Sequence, residues 1–113
     1  MIRVKKLSGE TIIIIENGTV REFSGRTIYR FDTEKFCELS GVTKYRFDRD
    51  TIKDFSGRTL YRFDGTYLRD FSGRNLYRFE RDSICEISGR AIYRFEGYPN
   101  RTETFAIICT LLA

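Results

Sequence analysis

The sequence predicts an all-β fold: about six antiparallel β-hairpin repeats of sixteen residues in a pseudo-symmetric, closed or capped meander, flower or rosette-like in outline. Three observations predict it. Ser-Gly occurs at 8–9, 24–25, 40–41, 56–57, 72–73 and 88–89, an unbroken spacing of sixteen. Tyr-Arg-Phe recurs in step, at 29–31, 45–47, 61–63, 77–79 and 93–95. Each unit also holds two short runs of β-branched and aromatic residues, such as Arg58 to Asp64 and Thr66 to Phe71, divided by turn chemistry.

Along the chain, Met1 to Lys6 carries three basic residues, and the apolar run that follows, Ile12 to Ile15, is too short for a signal-peptide core. Five full copies and a diverging sixth then occupy residues 8–103 of a single domain, 1–113. Asn17-Gly18, Asp64-Gly65 and Glu96-Gly97 mark one turn of a unit and Ser-Gly the other, with Gly free to take the positive φ of a tight hairpin. The first turn shifts by one place between copies, and Asp48-Arg49-Asp50 has no Gly, so the register stays open. Pro99 ends the repeat, since proline cannot donate to a sheet ladder. The apolar segment 104–113 is expected to close the fold, meeting Ile12 to Ile15 in the core.

An antiparallel meander is preferred over a parallel solenoid. Stacking would set Arg30, Arg46, Arg62, Arg78 and Arg94 in one ladder of like charge, whereas a meander lets Glu38, Asp54, Asp70 and Glu86 sit between them. Twelve strands in a row would leave two exposed edges unless the ends cap or join. On this reading Lys44, in place of an aliphatic residue, serves either as a guard against edge pairing or as a specific functional departure, beside Val42 in place of Arg.

The alternation GRTLYRFDG followed by TYLRDFSGRNLYRF resembles the bacterial proteins named four-fold β-flower, over residues 8–97. Six copies stand here where that name counts four. The resemblance implies a compact, closed, all-β fold and carries no activity onto any residue.

Composition narrows the function classes. With 113 residues, 41% hydrophobic and 32% charged, the chain builds one folded domain. It contains no His and no Trp, which removes His-based metal sites and imidazole-assisted nucleophiles. Cys37, Cys85 and Cys109 are too widely spaced for a zinc site or a disulfide framework; they read as buried thiols of a cytoplasmic protein. No metal, cofactor or membrane anchor is expected, the apolar tail being about half the ~20 residues a span needs.

A repeat places the same side chain at every equivalent position, while an enzyme site gathers different ones once, so the expectation is a non-enzymatic structural or interaction protein. Along each strand the Tyr and Phe of Tyr-Arg-Phe face one way and the Arg the other. The bland reading puts the rings in the core and pairs the arginines with acids on the surface. The functional reading gathers Arg30, Arg46, Arg62, Arg78 and Arg94, with Tyr67 and Tyr98, into a binding site or sponge for an anionic small ligand such as a nucleotide. Single-stranded nucleic-acid binding is a weaker alternative. A protein partner or self-association is expected too, the latter through the tail from Phe105 to Leu112 should the core not consume it.

Overall fold

The computed structural model describes residues 1–113 as twelve antiparallel strands and one helix. The strands are β1 (Ile2–Lys6), β2 (Thr11–Glu16), β3 (Thr19–Glu22), β4 (Thr27–Phe31), β5 (Lys35–Glu38), β6 (Thr43–Asp48), β7 (Thr51–Asp54), β8 (Thr59–Phe63), β9 (Tyr67–Asp70), β10 (Asn75–Phe79), β11 (Ser83–Glu86) and β12 (Ala91–Glu96), followed by α1 (Arg101–Leu111). Each strand pairs with its chain neighbours, and β1 pairs with β12, so the meander closes into a barrel. The result is squat, 37 × 33 × 17 Å.

Alternation explains which side chains fill it. In the long strands β6, β8, β10 and β12 the Phe of Tyr-Arg-Phe is buried, the Tyr is half-buried against the core, and the Arg turns outward. The short strands contribute one fully buried residue each: Val20, Phe36, Ile52, Leu68 and Ile84, sixteen apart. Register places Phe36, Ile52, Leu68 and Ile84 between aromatic partners, as with Ile52 opposite both Phe47 and Tyr61, and Val20 between Ile15 and Tyr29.

Two turn types alternate around the ring. At the Ser-Gly end, Gly57 N donates to Asp54 O (3.0 Å), Asp54 N donates to Arg58 O (2.9 Å), and Gly57 sits at φ +97, a conformation that favours glycine. This is a three-residue hairpin with a glycine bulge, and the ladder shifts register beside it. The Asp54 carboxylate accepts from Ser56 N, Ser56 Oγ and Arg58 N. At the other end, Asp64 Oδ1 accepts from Thr66 N and Tyr67 N. Carbonyls of these second turns also accept from the next hairpin, as with Phe63 N to Asp50 O (2.7 Å).

The chain ends differ from the sequence expectation. Closure comes from β1, which precedes the repeat, hydrogen-bonding to β12, the first half of the sixth copy. The tail, expected to close the fold, is a helix inside the barrel and takes no part in the β-ladder. Asn100 caps it, accepting from Glu103 N while Glu103 accepts from Asn100 N, the reciprocal box that fixes a helix start. Thr104 to Cys109 are six consecutive buried residues, all apolar but Thr104, whose hydroxyl donates to Asn100 O, as a core helix requires. Phe105 packs on Phe47 and Phe63 with ring centroids 5.1 and 6.2 Å apart. Ile107 and Ile108 join one cluster with Ile13 and Ile15, so the two aliphatic segments do meet in the core. Eleven residues rise about 16 Å, matching the 17 Å thickness of the molecule.

Candidate functional site

The helix occupies the lumen, so the chemistry the protein can offer lies on its exterior, in three bands. The first is the wall. Because the arginine of each Tyr-Arg-Phe points outward, register sets it against other wall residues: Arg46 opposite Lys35 and Lys53, Arg62 opposite Arg69, Arg94 opposite Lys5. These are like-charge pairs across adjacent strands, an arrangement that costs stability unless carboxylates neutralise it.

The acids expected between the arginines are elsewhere. Glu38, Asp54, Asp70 and Glu86 stand opposite Tyr29, Tyr45, Tyr61 and Tyr77, on the other face of the sheet. They begin the Ser-Gly turns, and in Asp54 and Asp70 the hydrogen bonds from the turn hold the carboxyl below its ordinary pKa. A different set of acids reaches the wall. Glu16, Asp48, Asp64 and Glu80, which open the second turns, pair with Arg21 (2.7 Å), Lys53 (3.2 Å), Arg69 (2.8 Å) and Arg78 (2.6 Å), and Glu96 pairs with Lys5. Of the five repeated arginines, Arg78 alone has a carboxylate partner, and Arg46 donates to Phe55 O at 3.0 Å. Arg30, Arg62 and Arg94 are exposed and form no ion pair.

The seven residues expected to bind an anion do not converge. The five arginines are spread around the wall on alternate strands. Tyr67 joins them there, opposite Arg78 and beneath the Arg69 guanidinium at 5.5 Å. Tyr98 lies apart, in the loop that leads into the helix, with Arg81 over its ring at 5.4 Å. Lys44 covers the ring of Tyr29 at 5.2 Å, and the closed barrel leaves no free edge for it to guard.

The second band is the rim at which the helix enters. A cleft of about 920 Å³ opens there, floored by Phe63, Phe79 and Phe95 and walled by Asp50, Asp64, Glu80 and Arg81, with Tyr98 and Arg101 on the helix side. Asp64, bound by Tyr67 N, Thr66 N and Arg69, has its carboxyl held down to about 2. Asp64 and Glu80 are occupied by turn and ion-pair partners, whereas the Asp50 carboxylate is free.

The third band was hidden in the repeat. The residue before each Ser-Gly, namely Leu7, Phe23, Leu39, Phe55, Phe71 and Ile87, is exposed; Phe23, Phe55 and Phe71 expose 72%, 68% and 69% of their surface. Sequence reading carried Phe71 within a strand, but β9 stops at Asp70 and Phe71 is a turn tip. The recurring position immediately before the turn glycine pair is the signal that marks it.

The three thiols are free and buried, and no cluster of acidic or sulfur side chains is arranged to hold a metal ion. No helix is long and apolar enough to cross a membrane. No family model, curated protein or solved structure matches the chain.

Proposed function

We propose that this protein is a non-enzymatic interaction module that holds an acidic protein surface against its cationic wall. The observation that carries the reading is the like-charge register of the wall, with Arg30, Arg62 and Arg94 exposed and unpaired. Guanidiniums on successive hairpins suit an extended array of carboxylates, each bound in bidentate fashion. A small anion would need several of them at one point, and the arginines diverge around a convex ring. A single strand of nucleic acid is favoured by aromatic platforms interleaved with a basic groove; here the most exposed rings lie at the two rims, Phe23, Phe55 and Phe71 at one and Tyr98 at the other, while the arginines lie on the wall. The cytoplasmic and β-flower readings of the sequence remain part of this proposal.

Poly-L-glutamate and a single-stranded oligonucleotide of equal charge serve as probes, each titrated at low and high salt. The expected result is tighter binding to polyglutamate, weakening with salt, and at least a tenfold loss in Arg30→Gln/Arg62→Gln/Arg94→Gln. Preference for the oligonucleotide, or an unchanged affinity in the triple variant, overturns the reading.

A further inference from the structure

We infer that the rim of Ser-Gly turns is the docking face for a second copy of this chain, seated coaxially and rim to rim. The six turns project from one end of the barrel, because every one of them joins strands running in the same pair of directions around the closed ring. Each presents an exposed apolar tip. With ~150–250 Å² per aromatic side chain, the three phenylalanines alone expose on the order of 400 Å². Two copies with their aliphatic tips included therefore reach the ~1,200 Å² at which specific interfaces begin.

Charge selects the partner. The wall is cationic and the helix-entry rim is rich in carboxylates, so each repels its own copy. On the Ser-Gly rim Arg26, Arg58, Arg74 and Arg90 alternate with turn acids, among them Glu86, which pairs with Arg90 at 3.9 Å. A near-neutral, mixed-sign, apolar rim complements itself, whereas an anionic lipid surface would attract the wall more strongly.

The tips also specify a register. Around the ring they run Leu7, Phe23, Leu39, Phe55, Phe71, Ile87. In a facing copy the order runs in the opposite sense, and of the six ways to align the two rings one alone sets every Phe against an aliphatic tip. It places Phe55 on Leu7, Phe23 on Leu39 and Phe71 on Ile87, and brings Arg58 opposite Glu10, Arg26 opposite Val42, and Arg74 opposite Arg90, whose charge Glu86 offsets. Beside Ile87 a depression of about 630 Å³, lined by Leu76, Tyr77 and Ile92, is open to receive the facing Phe71.

Sedimentation of the full chain tests this, since the free species weighs 13.4 kDa. The expected result is a dimer for the wild type and a monomer for Phe23→Ser/Phe55→Ser/Phe71→Ser, with the circular dichroism spectrum unchanged because the tips pack on nothing within the single chain, and with a melting temperature that rises with protein concentration in the wild type alone. Under oxidation Phe23→Cys/Leu39→Cys should give covalent dimers and the unmatched pair Leu7→Cys/Phe23→Cys should not. A monomeric wild type, a dimeric triple variant, or equal cross-linking of both cysteine pairs overturns the inference. So does a wild type that stays monomeric yet binds phosphatidylserine vesicles, which would make the rim a lipid-docking face. None of these readouts depends on whether the wall binds polyglutamate.

Discussion

Val4 of β1 stands opposite Phe95 of β12, and this pair joins the two ends of the chain across the seam that closes the barrel. Val4 is fully buried and Phe95 nearly so, whereas their neighbour Lys5 reaches outward to Glu96. The seam therefore depends on apolar packing and ladder bonds, with a half-exposed ion pair adding less than about 1 kcal/mol.

Val4→Ala is expected to lower unfolding free energy by about 2 kcal/mol, through lost transfer energy and an unfilled cavity. Lys5→Ala should cost less than half of that. Urea titration of both variants measures the contrast, and equal costs would show that the ring is held closed elsewhere.

Acid should loosen the turns before the core. Hydrogen bonds from Tyr67 N and Thr66 N and the Arg69 guanidinium hold Asp64 at about 2, and turn hydrogen bonds lower Asp54 and Asp70. Lys5 lowers Glu96. A carboxyl whose folded pKa lies below its unfolded value, near 3.9 for Asp, stabilises the fold fully above that value and loses the contribution as pH falls through the folded one. Stability should thus be level at neutral pH and decline from about pH 4 toward pH 2. Asp64→Asn should be less stable at pH 7 and show a shallower decline; a slope identical to that of the wild type would remove Asp64 from the account.

The repeat was legible because one turn solution recurs: an acid to bind the turn amides, a small Ser, and a Gly at positive φ. The hairpin meander followed, while closure rests on β1, which lies outside the repeat and takes the place of a second strand in the sixth copy. What the repeat could not reveal was register, and register decides faces. Without it Glu38 and Asp54 read as partners of Arg, although they stand opposite Tyr29 and Tyr45. Phe71 read as a strand residue because an exposed turn tip and a core position can share one composition. The helix had a signal of its own: Asn100 three residues before Glu103, ahead of an apolar run, is capping-box spacing. The β-branched Ile107 and Ile108 weaken helix propensity, and burial in the lumen outweighs that preference. Likewise Ile2 and Val4 alternate with Arg3 and Lys5, the period of a half-buried strand, in a stretch that lies outside the sixteen-residue repeat.

The thiols should be silent in the folded state. Burial pushes Cys109 well above the ordinary thiol range, against a smaller opposing pull from Lys44, and Cys37 and Cys85 are also buried. Alkylation needs thiolate and access together. Iodoacetamide at pH 8 is expected to leave the native chain unmodified by mass while adding three groups in denaturant. A rapid single adduct on the native protein would show that one of these sites opens without global unfolding.

Arg49 supplies a test of sign. It occupies φ +55 in the turn between β6 and β7, where the equivalent places in other units hold Asn17, Gly65 and Gly97, all at positive φ. For a residue with a Cβ that conformation costs roughly 1–2 kcal/mol. Thr33 fills the same place in its own unit without positive φ. Arg49→Gly relieves the strain, offset by the greater freedom glycine gains when unfolded, and should stabilise by about 0.5–1 kcal/mol. Thr33→Gly relieves nothing and incurs only the unfolded-state term, so it should destabilise by a similar amount. Denaturant titration reads both, and two changes of the same sign would mean that turn conformation does not govern stability at these positions.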